Sequence, residues 1–122
     1  MVDLCTSGNV KLAAGANVST AITNAQYISL IDQAEGQLIA DTGVDWLVVY
    51  ATISGNSYGK IVEQAVANFA AVGAIGYDPS GYTTIGEAVT ITNICLDRYD
   101  RAVVKLKDAN VYKPFGGTKI VE

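Results

Sequence analysis

The chain has 122 residues, half of them hydrophobic by type, and a formal net charge of −4 at pH 7. A chain of this length buries roughly two thirds of the surface that it exposes when unfolded, so one core can form without disulfides or metals. Twelve glycines and only two prolines fit neither a collagen-like nor a disordered chain, and the acidic balance argues against a protein whose main task is to grip nucleic acid.

Residues 1–22 are small, polar and interrupted by glycine, which predicts a mostly irregular N-terminal arm. No basic start is followed by an apolar run, so we expect no signal peptide. The longest apolar stretch, 61–77, contains Glu63, Gln64 and Asn68. A bilayer span needs about 20 mostly apolar residues, so we also expect no membrane helix.

The first helix is predicted over 24–42. Thr23 and Gln26 have the spacing of a capping box, in which each side chain satisfies a backbone N–H at the helix start. Gly43 is a suitable end, since the residue after a helix often needs the left-handed conformation. Apolar residues recur between them at helical spacing: Tyr27, Ile31, Ala34 and Leu38.

The segment 44–54 is ambiguous. Its β-branched residues favour a strand, but they do not alternate with polar residues. Asp45 is a suitable cap for a short helix that carries Trp46. We therefore predict a short helix, with Trp46 inside the molecule, and keep the strand as the alternative.

The second helix is predicted over 58–77. Its second half, FAAVGAIGY, is apolar nearly all the way round and rich in alanine and glycine. Such a helix end must be covered on several sides, either at the centre of the bundle or by another chain. Small residues such as Gly73 would also allow a neighbour to approach closely.

The third helix is predicted over 85–108, opened by a second capping-box match between Thr84 and Glu87. Its inner face is formed by one apolar series: Ala88, Thr92, Cys95, Tyr99, Ala102 and Leu106. The predicted fold is thus mainly α, a small bundle of three main helices, with the core domain over 23–110.

Residues 111–122 are predicted to form an extended C-terminal tail. Pro114 and the glycine pair at 116–117 do not allow a helix there. Aromatic residues outside the helices favour contact with another subunit. The interface that we predict in the tail consists of Tyr112, Lys113, Pro114, Phe115, Ile120 and Val121.

Charge is distributed unevenly along the chain. Residues 1–96 carry two basic and eight acidic side chains, a balance of −6, whereas residues 97–122 carry six basic and four acidic, a balance of +2. A body and an end of opposite sign allow copies to associate head to tail, with Arg98 and Arg101 on the basic side. The alternative is a solvated, salt-bridged helix end, and the sequence leaves both open.

Little in the sequence points to catalysis, and we expect no enzyme, metal or cofactor. There is no histidine, the commonest acid and base near neutral pH. Two carboxylate pairs, at positions 32 and 35 and at 97 and 100, have one-turn spacing but lack the histidines of helical di-metal sites. Cys95 lies on an apolar helical face and is expected to pack there. Cys5 lies on the arm, where a thiol can be exposed, but no base is nearby in the sequence to activate it, and we expect a free structural thiol.

The order of elements resembles the head–tail connector (adaptor) proteins of tailed bacteriophages. The resemblance covers about residues 23–110 and consists of the helix AQYISLIDQAEGQLIADTG, an aromatic connector, an alanine-rich helix, the turn DPSGYT and a long charged helix before a tail. It implies a structural virion protein, made in the host cytoplasm and placed in the neck between capsid and tail. Such subunits form a ring, commonly of twelve, that binds the portal and tail proteins and lets DNA pass.

Two other roles remain open. The same arms would suit a minor capsid or decoration protein on the shell of the virion. A cellular helical regulator or small-ligand binder would instead use an apolar groove along the second helix. The location in a particle separates the first alternative from a connector, and ligand-dependent stabilisation of a monomer would indicate the second.

Overall fold

The structure, a computed structural model, describes residues 4–15, 18, 21–47, 57–77 and 84–107. These residues form a mainly α fold, as predicted, and no strand occurs among them. The helices are α1 (Ser7–Ala14), α2 (Asn24–Thr42), α3 (Ser57–Tyr77) and α4 (Ile85–Leu106). Helices α2 to α4 correspond to the three main helices expected from the sequence, with ends that agree to within two residues.

Helix α1 contradicts the prediction of an irregular arm over 1–22. Thr6 caps it: the Thr6 hydroxyl accepts a hydrogen bond from the Asn9 backbone N–H at 3.2 Å, and the Asn9 side chain accepts one from the Thr6 N–H at 2.8 Å. Val10 and Ala14 are fully buried and belong to the same core as the other helices. The helix exists because this short apolar edge packs on α3, a long-range contact that local composition does not reveal.

Helix α2 has the predicted ends. Thr23 and Gln26 form a reciprocal capping box, and Gly43 adopts the left-handed conformation with φ of 73°. At its C-terminal end, Thr42 is buried and its hydroxyl accepts a hydrogen bond from the Trp46 indole N–H at 2.9 Å. Trp46 is fully buried, which confirms its predicted internal role.

The ambiguous segment after α2 is described only as far as Leu47. Trp46 and Leu47 have helical backbone, and the Asp45 carboxylate accepts a hydrogen bond from the Leu47 N–H at 3.1 Å. This bond has the geometry of the predicted N-terminal cap. The remainder of the predicted short helix, 48–54, lies outside the described residues.

Helix α3 is the central element. It packs against α1, α2 and α4, most extensively against α4. Its apolar end is therefore covered within one chain, and Ala70, Ala74 and Ile75 are buried there. Of the two possibilities left open by the sequence, the central position is the one observed. Gly73 permits a close approach, since a Cβ at that position would lie 2.5 Å from the Leu30 side chain of α2.

Helix α4 begins after Thr84, whose hydroxyl accepts a hydrogen bond from the Glu87 N–H at 3.0 Å. Most of its predicted inner face is buried, and the Tyr99 ring lies 4.9 Å from that of Phe69 in α3. The Tyr99 hydroxyl donates a hydrogen bond to the Asp41 carboxylate of α2 at 2.5 Å. This bond connects two helices that otherwise contact each other little, because α3 lies between them.

No helix in the described part of the chain is long and apolar enough to cross a membrane. The last residue of the third predicted helix, residue 108, and the whole of the predicted tail over 111–122 lie outside the described residues.

Candidate interaction surface

The described surface has two adjoining depressions beside α3, with volumes of about 350 and 420 Å³. Both are lined by Gln64 and Asn68 of α3 and by Arg98 of α4. One extends towards α1, and the other follows α4 to Arg101 and Lys105. We refer to these five residues as the basic groove: Gln64, Asn68, Arg98, Arg101 and Lys105.

The two arginines predicted as interface residues both lie in this groove, on exposed positions of α4. Arg101 forms an ion pair with Asp97 one turn away, with Nε and Oδ2 3.1 Å apart. Both partners are largely exposed, so the pair contributes little to stability. Arg98 forms no ion pair with any described residue, although the acidic Glu63 of α3 lines the same depression. The salt-bridged face expected from the sequence is thus present for Arg101 and absent for Arg98 within the described part.

Asn68 forms the buried wall of the groove. Its side chain is 6% exposed, and its Nδ2 donates a hydrogen bond to the Gln64 carbonyl at 2.7 Å. Its Oδ1 is buried and has no hydrogen-bond partner in the structure. Buried polar atoms are nearly always paired in native proteins, so this acceptor marks a place where a donor is missing. The only sign of it in the sequence is a polar residue within an apolar stretch.

Below the groove lies Cys95, which is fully buried and whose thiol donates a hydrogen bond to the Ala13 carbonyl at 3.5 Å. Burial raises the pKa of this thiol, and the nearby Arg98 charge lowers it by less. A protonated, enclosed thiol is a poor nucleophile, so the packing role predicted for Cys95 is confirmed. Cys5 is buried as well, because the N-terminal residues pack into the core, and this agrees with the structural role expected for it rather than with an exposed position on the arm.

The two carboxylate pairs do not form metal sites in the structure. Asp32 is exposed, whereas Glu35 faces inward and its Oε2 accepts a hydrogen bond from the Leu4 N–H at 2.6 Å. In the second pair, Asp97 is bound to Arg101. Among the described residues, no three acidic or thiol side chains are grouped so that they hold a metal ion.

Helix α4 also carries apolar residues that its own chain does not cover. Ile85 is 79% and Val104 is 74% exposed, one near each end of the helix. Isolated apolar residues on a surface are ordinary, but here they share a helix with the basic groove. The tail residues predicted as an interface with another subunit, from Tyr112 to Val121, lie outside the described residues.

No protein-family model, curated protein or solved structure matches this chain.

Proposed function

We propose that this chain is a structural assembly protein, a ring-forming head–tail connector of a tailed bacteriophage. The observation that supports it best is the outer surface of α4, which combines the unpaired charge of Arg98 with exposed apolar residues directly before the C-terminal tail. The specific role of a connector is inferred from the resemblance in the order and composition of the sequence elements. Partners in that role are further copies of the chain, the portal, and the tail or neck proteins.

The bundle buries its apolar core within a single chain, and this limits the surfaces that are left for contacts between subunits. In the apolar second half of α3, Ala70, Ala74 and Ile75 are buried within the single chain, so these residues do not require a neighbouring subunit to cover them. Contacts between subunits therefore fall on surfaces that the bundle leaves exposed, such as the outer face of α4, and on the tail. A ring needs such surfaces at two different places on each subunit.

In the neck, between capsid and tail, DNA passes through the ring as cargo. The balance of −6 over residues 1–96 suits a channel wall that does not hold the DNA, since like charges repel. The basic groove covers a much smaller surface than this acidic part of the chain, so it suits a contact with a protein better than binding along a DNA duplex.

The tail provides the direct test. Deletion of 111–122 is expected to leave the helices folded, as judged by circular dichroism, and to abolish ring formation and portal binding. As a matched pair within the full chain, Phe115→Ser should weaken assembly, whereas Lys119→Ser should have little effect. Electron microscopy with the portal present gives the readout. A truncated chain that unfolds would place the tail in the core, and many copies over the capsid surface would indicate a decoration protein instead.

A further inference from the structure

We propose that the basic groove of one copy receives the outer face of α2 from a second copy, with Asp32 as the carboxylate that meets Arg98. This inference rests on the proposed function and deepens it, because it names the contact that closes the ring.

The groove has the chemistry of a receptor for an acidic partner that also donates hydrogen bonds. Arg98, Arg101 and Lys105 place three cations along one side, and only Arg101 forms an ion pair with a described acid. One acid, Glu63, lines the depression on the α1 side, so the cations are still in excess. On the other side, the buried Oδ1 of Asn68 lacks a donor. A DNA backbone offers phosphate oxygens, which accept hydrogen bonds, but no donor for this atom. A protein surface with a carboxylate and an amide supplies both.

The outer face of α2 is such a surface. Its exposed residues recur every three or four positions after the first, and only one of them is charged: Asn24, Ala25, Ile28, Ser29, Asp32, Gln33, Gly36, Gln37 and Ala40. A helix face that remains in water is normally rich in charge, whereas the core of an interface is depleted of it. Gly36 has open space where a Cβ would be, so the face is shallow there and permits close approach.

The two surfaces belong to different parts of the subunit. The groove is lined by α1, α3 and α4, and none of its lining residues comes from α2. The contact therefore joins two unlike surfaces of successive copies, and such head-to-tail contacts close into rings when the rotation between copies allows it. In this contact, Asp32 lies against Arg98, and the amide of Gln33 on the next position is the donor for Asn68.

A charge exchange tests the contact in the full chain. Arg98→Glu and Asp32→Lys are each expected to weaken self-association by at least about tenfold, since each places like charges in the contact. The double variant restores opposite charges between successive copies and should recover most of the loss. Lys60→Glu, an equal change of charge at an exposed residue of α3 outside the groove, is the control and should associate like the wild type. Sedimentation velocity at low and high salt, with and without the portal, gives the association, and circular dichroism checks the fold.

Asn68→Leu provides a second variant that does not change charge. It should weaken association without lowering thermal stability, because it removes a buried acceptor that has no partner in the single chain.

If wild-type rings form and the single charge reversals assemble as well as the wild type, this contact is wrong while the connector role stands. If the wild type forms no ring even with the portal, both proposals fail. If the groove variants abolish binding of a DNA duplex and leave self-association unchanged, the groove is a nucleic-acid site and the contact is refuted.

Discussion

The hydrogen bond between Tyr99 and Asp41 gives a prediction whose size and pH dependence both follow from the structure. Tyr99→Phe keeps the ring that packs against Phe69 and removes only the hydroxyl that donates to the Asp41 carboxylate. Hydrogen bonds to charged groups are worth about 1.5–3 kcal/mol, so we expect a loss of about 2 kcal/mol in the free energy of unfolding at pH 8. The second oxygen of Asp41 still accepts from Gln37 at 2.9 Å.

The pH dependence of the free energy of unfolding tests whether the Tyr99 hydroxyl is the group responsible for this loss. The pKa of Tyr99 is raised above its usual value of 10.0, first by burial, then by the hydrogen bond to Asp41 and by the charges of Asp41 and Asp100. In the unfolded chain, the Tyr99 hydroxyl therefore ionises near pH 10, whereas in the folded chain it stays protonated at that pH. The stability from this group is complete below pH 10 and declines by about 1.4 kcal/mol per pH unit above it.

Guanidinium unfolding at pH 8, 10 and 11, followed by the fluorescence of the buried Trp46, measures the difference between wild type and variant. The difference should be about 2 kcal/mol at pH 8 and fall by more than half by pH 11, because only the wild type loses the Tyr99 contribution. Burial also raises the pKa of Tyr27, but that residue is present in both proteins and cancels in the comparison. A difference that stays constant between pH 8 and pH 11, or no difference at pH 8, would refute this reasoning.

Three further perturbations test the fold. Thr42→Val leaves the buried Trp46 indole N–H without its acceptor and should cost about 1–3 kcal/mol in thermal or chemical unfolding, whereas Thr42→Ser should retain most of the stability. Thr6→Ala removes the cap of α1 and should cost about 1 kcal/mol, seen as faster hydrogen exchange confined to that helix; equal exchange would contradict the capping role. Cys5 and Cys95 should both resist a disulfide reagent at pH 8 until urea unfolds the chain, and rapid reaction of either thiol in the native protein would show that the core is open there.

The sequence predicted those elements whose signals are local. Helix α2 was located to the residue because a capping box opens it and Gly43 ends it, and both act within a few residues of the boundary. Helix α1 was missed because it has only eight residues, contains Gly8 and is followed by Gly15. The spacing of Thr6 and Asn9 was the one local signal of its start, but its stability comes from burial against α3.

Features that depend on packing between distant residues could not be read from the chain. The apolar end of α3 fitted either a central helix or a contact with another chain, and only the positions of the other helices decide between these. Charge alone identified Arg98 and Arg101 as interface candidates. The groove that they share with Asn68 arises where α3 and α4 run side by side, thirty residues apart in sequence, and no spacing rule connects them.

The most direct test of the central claim is electron microscopy of the purified full-length chain mixed with the portal. The account predicts closed rings of this chain bound to one end of the portal, with α2 of each copy against the α3–α4 groove of the next. A chain that remains monomeric and leaves the portal bare would contradict it.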